Sequence, residues 1–332
     1  MKNAMMSVAE ARARIEAGAV LVIAGSEEAL SSLPKGRWIG GTSVYFVTET
    51  GGRTDRENVF VTEIEAAEDA RPVLYRGEDL PSLTMGRYDN GLSIILIPAF
   101  SKAHEAFAIR GAEFPGLFDQ PLMGWITGIH LDDLGDVTPK VFDGAKGEMH
   151  EDGAMLLHVK LPAGEVADLD ILNLFEPDMS ADEITFGETG FGAKTAMVNG
   201  QEVDFAAYLV EKGIDTRCPL VANFAGAMVN VSFQAVDPAA GVSFYAPVIE
   251  GMTYHIASTP GDYASEFAAR AQGDGTRELS CNCILNYIYG ELESKTTGGF
   301  TGPATFGEIA YMLLNQTMVR VNLRAAEAAQ VA

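Results

Sequence analysis

The stretch Gly298-Gly299-Phe300-Thr301-Gly302-Pro303-Ala304-Thr305-Phe306-Gly307-Glu308-Ile309 sets four glycines and a proline in one short run. Such density removes side chains that stabilise regular structure and takes away a backbone donor, so no long helix can pass through it. The run must be a loop or crossover that leads into the final strand. Bare amides and the hydroxyls of Thr301 and Thr305 could hold a carboxylate or similar anion, as backbone nests do, and Glu308 could take an ammonium. An amino-acid zwitterion would satisfy both ends. The competing reading is a tight crossover in which Glu308 caps or pairs locally. No Gly-Lys-Thr or Gly-Lys-Ser follows, so this is not a phosphate loop.

Alternation and capping signals set the elements around it. Ser7-Val8-Ala9-Glu10 is a capping box and starts a helix that Gly18 ends. Ala19–Ile23 reads as a buried strand, and Arg37–Val47 as a second strand in which Gly40-Gly41 permits a bulge or the close approach of a ligand. Strand, short helix and strand so close together suggest a local α/β arrangement. Val59–Ile64 and Leu92–Ile97 read as strands, and Ser101 caps a helix to Ala112. From Pro121 the texture is extended, with strands at 155–161, 167–175 and 184–186. Asn199-Gly200 between extended flanks predicts a hairpin, and Asp204 caps a helix that Gly213 ends. Strands follow at 221–233, 242–245 and 252–257, then a helix at 262–272, a turn at 273–275, a partly strand-like run at 278–289 and a last strand at 314–323.

The fold class expected is α+β, with mixed, largely antiparallel sheets flanked by helices. At 332 residues the chain exceeds the roughly 250 at which single cores stop growing, so two lobes are expected, 1–195 and 196–325, with a frayed tail at 326–332. Gly153-Ala154-Met155 and Gly226-Ala227-Met228 each open an extended apolar segment, an echo that suggests pseudo-duplication.

A formal charge of −23 disfavours nucleic acid and anionic membrane surfaces as partners. Three cysteines, Cys218, Cys281 and Cys283, fit a reducing compartment, and the charged first 16 residues lack the form of a signal peptide, so a cytoplasmic location is expected. Cys281 and Cys283 share a face if their segment is a strand, but they lack the two-residue spacer usual for zinc. Histidines 104, 130, 150, 158 and 255 form no i, i+4 pair. No metal or cofactor is predicted; noncovalent haem, which leaves no sequence trace, is the one left open. There is no Gly-x-Ser-x-Gly elbow, and Cys281 has no histidine partner identifiable from sequence. Leu131-Asp132-Asp133-Leu134-Gly135-Asp136 lacks the spaced acids of a calcium loop and reads as a solvated turn.

Leu279-Ser280-Cys281-Asn282-Cys283, Gly298-Gly299-Phe300, Phe306-Gly307-Glu308-Ile309 and Asn315-Gln316-Thr317-Met318-Val319, in that order, resemble the FIST domain, named for F-box and intracellular signal transduction proteins. The hairpin at Met197–Val203 with the following helix resembles the start of that family's C-terminal half, and Trp38-Ile39-Gly40-Gly41-Thr42-Ser43 is faintly similar to a glycine-rich strand end of its N-terminal half. The resemblance implies two FIST-like lobes and a small-ligand sensor, with amino acids or carboxylates as expected ligands. The chain departs from the pattern in its inserted Thr301–Thr305 and in carrying no recognisable effector module, so a separate protein such as a kinase or cyclase is the expected partner. Trp38, Thr42 and Tyr45 of the first lobe and Asn282, Thr301, Thr305 and Glu308 of the second are the candidate ligand-binding residues. A Cys-based hydrolase or transferase and a structural subunit of a larger complex are the alternatives.

Overall fold

The computed structural model describes residues 1–224, 226–258, 261–271 and 275–326. Three runs, Leu21–Gly25, Gly91–Pro98 and Leu279–Cys283, are buried from end to end, the first two almost wholly apolar and the third with Ser280 and Asn282 among its buried residues. A strand can be apolar on both faces only if both are covered, and each of these opens a strand–helix–strand unit whose two strands pair in parallel.

The first unit is β1 (Lys2–Met6), α1 (Val8–Glu16), β2 (Leu21–Gly25), α2 (Glu27–Ser31), β3 (Trp38–Thr42), β4 (Tyr45–Thr48), β5 (Gly51–Thr54) and β6 (Val59–Glu63). The second is β7 (Asp69–Tyr75), β8 (Gly91–Pro98), α3 (Lys102–Arg110), β9 (Leu122–Thr127), β10 (Val141–Asp143), β11 (Glu148–His150) and β12 (Ala154–Lys160). The third opens with β13 (Glu165–Asn173) and is then interrupted. The insertion holds β14 (Ile184–Thr185), β15 (Gly190–Ala193), β16 (Thr195–Val198), β17 (Gln201–Asp204), α4 (Phe205–Lys212), β18 (Leu220–Phe224), β19 (Ala227–Val231), β20 (Phe233–Asp237), β21 (Gly241–Val248), β22 (His255–Ile256) and α5 (Tyr263–Arg270). The unit resumes with β23 (Leu279–Cys283), α6 (Ile284–Tyr289), β24 (Gly302–Thr305), β25 (Glu308–Ala310), β26 (Met312–Leu314) and β27 (Thr317–Ala325).

Three six-stranded sheets result, ordered β1-β6-β2-β3-β10-β11, β7-β12-β8-β9-β25-β26 and β13-β27-β23-β24-β4-β5. These are one topology written three times. In each, a unit supplies four strands, and the hairpin of another unit completes the sheet beside the second parallel strand. The exchange is cyclic: the hairpin β4–β5 of the first unit joins the third sheet, β10–β11 joins the first, and β25–β26 joins the second. One apolar core collects residues from all three sheets, among them Val22, Ile39, Phe46, Leu96, Trp125, Leu157, Cys281 and Val319. The helices cover other faces: α1 and α2 pack with Leu21, Ile23 and Trp38, and α3 packs with Ile95, Ile97 and Ile126. A larger cluster joins α6 and β24 to the insertion, whose strands form three small sheets.

Mixed, largely antiparallel sheets with flanking helices are thus what the chain forms. Asn199 and Gly200 take φ of 47° and 80°, the left-handed pair a type I′ hairpin turn requires, and Asp204 caps α4 through the Ala207 amide at 2.9 Å. Other boundaries differ from expectation. The expected strand Arg37–Val47 breaks at Ser43-Val44, where the chain leaves one sheet for another. Gly40 and Gly41 lie inside β3, and a Cβ on Gly41 would stand 2.4 Å from the Thr127 methyl, so what approaches closely there is a neighbouring strand. The run 278–289 divides into β23 and α6. The final strand breaks at Asn315-Gln316, with Gln316 at φ 49°. Met155 and Met228 lie in β12 and β19, strands of different sheets with different topology, whereas the repeat visible in strand order is threefold. Strands from either side of residue 195 share two of the large sheets. Residues 327–332, expected as frayed tail, and part of the turn at 273–275 lie outside the described residues.

Candidate functional site

The carboxyl ends of the parallel strands come together on one side. From β8 the chain passes through Ala99-Phe100-Ser101 into α3, β23 passes through Cys283 into α6, β24 ends in Thr305-Phe306, and β9 leads to the loop holding Leu131. In open α/β sheets this is where ligands bind, because helix N-termini and loops converge there. Here the insertion supplies the facing residues: Phe191 from β15, Gln234 from β20, and Phe244 and Tyr245 from β21. Two adjoining cavities of about 390 and 420 Å³ share Phe100, Gln234, Tyr245 and Phe306. Both volumes lie within the range usual for small-molecule sites, roughly 300–1,000 Å³.

Local sequence explains the first cavity. Ser101 caps α3 by accepting from the His104 amide at 3.1 Å. Phe100, just before the cap, is held at φ 64°, which is costly for a residue with a bulky side chain, yet it is 61% exposed. Its amide donates to His104 Nδ1 at 3.2 Å. Burial pushes the His104 pKa down to about 4, so the ring is neutral at pH 7. With Nδ1 accepting, the proton resides on Nε2, which has no partner. The His104 ring meets Phe191 edge-on at 5.9 Å, and the Phe100 ring meets Phe306 likewise at 6.2 Å.

The second cavity is lined by Leu131, Leu134, Ile284, Leu285 and Ile288, with Cys283, Tyr289 and Asn315 as its further polar groups. Asn315 is fully buried; its Nδ2 donates to the Leu314 carbonyl at 3.0 Å, and Oδ1 has no partner. Among the residues lining both cavities, Glu105 is the one carrying a formal charge.

The residues expected from sequence are distributed differently. Asn282, Thr305 and Glu308 come together between β23, β24 and β25, buried behind the cavities. The Thr305 hydroxyl lies 3.2 and 3.1 Å from the Asn282 and Gly307 carbonyls. Asn282 Oδ1 accepts from Asn286 at 2.9 Å. Glu308 stands opposite Trp125 across an antiparallel pair, fully buried, and its Oε2 accepts from the Thr317 amide and hydroxyl at 3.1 and 2.8 Å. Its Oε1 has no partner. Burial raises the Glu308 pKa to about 8 even though the hydrogen bonds from Thr317 oppose the shift. It is therefore mostly a neutral carboxyl at pH 7.

Tyr45 stands behind the second cavity, where its hydroxyl accepts from the Leu131 amide at 3.1 Å and its ring stacks on His130 at 5.3 Å. Thr42 accepts from the Lys140 amide at 2.9 Å. Trp38 and Thr301 lie at the opposite, amino ends of β3 and β24. At about 3.3 Å per residue, each is roughly 13 Å from the carboxyl end of its strand. Trp38 donates to the Pro34 carbonyl, and Thr301 is bound to Asn3 and Gly275 and borders a separate pocket of about 220 Å³. The segment Gly302–Thr305 is itself a strand, with a Cβ on Gly302 only 2.5 Å from the Ser280 carbonyl, so the glycine run serves as crossover and ladder.

Burial holds Cys281 and Cys283 well above the ordinary thiol pKa, and Cys281 donates to the Gly124 carbonyl at 3.4 Å. Among the described residues no group of three or more His, Cys, Asp and Glu could hold a metal ion. No described helix is long and apolar enough to cross a membrane. Phe100, His104, Gln234, Tyr245 and Asn315 were not among the ligand-binding residues expected from sequence, although Asn315 lies in one of the FIST-like motifs. The Ser101 cap was the nearest signal, but it does not reveal the backbone of the residue before it.

A family model described as a family of unknown function, DUF6976, matches residues 6–324. No curated protein matches the chain.

Proposed function

The chain belongs to the DUF6976 family of unknown function, and from its geometry we propose that it binds a small molecule without turning it over and passes that event to a separate protein effector. The observation that carries this reading is the pair of adjoining cavities at the parallel-strand ends, walled on one side by the insertion. Binding there would draw β20, β21 and the strand ends together, a movement that another chain could read. The FIST-like order of motifs from Leu279 to Val319 supports a sensor, a kinase or cyclase being the kind of effector such a sensor serves. Turnover at a cysteine has less support, because a thiolate is the nucleophile and burial keeps Cys281 and Cys283 protonated. Free, reduced Cys281 and Cys283 suit a cytoplasmic setting.

Thermal-shift screening followed by calorimetry tests the reading, because a ligand that binds only the folded protein raises its melting temperature. Tyr245→Ala and Phe306→Ala should each weaken such a ligand at least tenfold, and mass spectrometry should recover it unchanged. Recovery of a converted product would establish an enzyme instead. Affinity that ignores Tyr245 and Phe306 but falls on Thr301→Ala would move the site to the pocket beside Asn3.

A further inference from the structure

We infer that the ligand is an electrically neutral, largely aromatic molecule with a hydrogen-bond acceptor, clamped by Phe100 and met by His104. This rests on the sensing reading of the same cleft and names its ligand class. Three independent observations point there.

The first is the composition of the walls. Phe100, Phe191, Phe244, Tyr245 and Phe306 surround the first cavity, and ring faces and edges at these separations favour a planar partner. Neither cavity is lined by Lys or Arg, and Glu105 at the edge of the first repels anions. A carboxylate or phosphate would be desolvated there without a counter-charge, a cost far above that of a neutral group. An amino acid or carboxylate, the class expected from the sequence, therefore fits these walls poorly.

The second is the unspent polar capacity. His104, 8% exposed, has a lone pair at Nδ1 already engaged by the Phe100 amide, leaving Nε2–H as a donor with no partner. Asn315, fully buried, keeps an acceptor at Oδ1. Buried polar atoms rarely stay unpaired, and both of these are closed to solvent in the unliganded protein, so a ligand group would be held at each once the side chains covering it move aside. A ligand acceptor suits the first and a ligand N–H or O–H the second.

The third is strain. Phe100 combines a left-handed backbone with an exposed ring, and neither property helps an unliganded fold. Strained residues at pocket mouths persist where the site uses them. The ring lines both cavities, so a molecule in either contacts it.

Indole-3-carboxamide and indole-3-carboxylate, alike in shape and differing in charge, test this by calorimetry on the full chain. The carboxamide should bind at least tenfold more tightly than the carboxylate. Phe100→Gly should weaken the carboxamide at least tenfold, while its melting temperature without ligand equals or exceeds that of the wild type, because glycine adopts positive φ freely. His104→Phe should weaken it without altering the folded signal. The inference is overturned if the carboxamide does not bind, if the carboxylate binds as well or better, or if Phe100→Gly leaves affinity unchanged. A screen of charged small molecules separates that failure from failure of the sensing reading. A charged compound whose binding is lost in Phe100→Gly leaves the cleft standing with a different ligand class. If binding depends on Tyr245 and Phe306 but not on Phe100, the sensing reading stands and this inference falls; if no compound, neutral or charged, depends on any of the three, both fall.

Discussion

Replacing Glu308 by Gln should change how stability depends on pH more than it changes the structure. The Gln carbonyl can accept from the Thr317 amide and hydroxyl as Oε2 does, and its NH₂ takes the place of the unpartnered Oε1. In the folded protein Glu308 titrates near 8, against 4.5 for the ordinary carboxyl. Between those values the folded state holds a proton that the unfolded state has released. The stability of the wild type is therefore fully present below about pH 4.5 and falls as pH rises toward 8. The slope is about 1.4 kcal/mol per pH unit, and the fall across the window is on the order of 5 kcal/mol. Gln cannot titrate, so the variant should gain on the wild type by that slope and the gap should level off above pH 8. Urea unfolding of both proteins from pH 5 to 9 at constant ionic strength reads this directly. Buried histidines such as His104 and His158 contribute equally to both proteins and cancel in the difference. Parallel stability curves from pH 5 to 8 would show that Glu308 is ionised in the fold and would refute the reasoning.

Gly124→Ala would place a Cβ 1.7 Å from the Ile95 carbonyl, forcing β8 and β9 apart; a loss of about 4 kcal/mol or more in urea unfolding, or failure to fold, is expected. His158 lies buried between Ser93 at 2.9 Å and Tyr75 at 3.4 Å, and burial depresses its pKa from 6.5 to about 4. Its contribution is present above pH 6.5 and lost as pH falls toward 4, so His158→Gln, followed by urea unfolding, should flatten that acid-side loss by about 1.4 kcal/mol per pH unit. Asp204→Ala removes the cap of α4 and should lower stability by about 1 kcal/mol, read by thermal melting, with the large sheets unaffected.

Local chemistry was legible where one or two residues decide a conformation. Ser7, Ser101 and Asp204 cap the helices they were expected to cap, and Asn199-Gly200 makes its hairpin. The apolar runs at 19–23 and 92–97 showed as strands, the first as a buried one, because strands covered on both faces carry nearly continuous apolar sequence. Pairing across the chain was not legible. Gly302–Thr305 looked like a loop or crossover because the glycine-rich run around it carries no pattern, yet the bareness of Gly302 is what lets β24 lie against the Ser280 carbonyl. Glu308 stood out as a charged residue in a glycine-rich run, but its burial depends on Trp125 and Thr317, which no local pattern links to it. His104 looked like one histidine among five. Its tautomer and missing partner depend on the φ of Phe100, and sequence does not report that angle.

The cyclic exchange of hairpins also governs how this chain can come to be folded. The strand β4 is made early, but its sheet partner β24 lies some 250 residues further on, and β9 waits about 185 residues for β25. Until the last third has been synthesised, two of the large sheets lack an interior neighbour and present open edges. Pairings this distant close loops of high entropic cost before any contact repays them, which makes for slow folding through partly formed states. A nascent chain halted near residue 270 would hold most of its apolar residues and none of its third parallel pair, leaving it prone to associate with other chains by those edges.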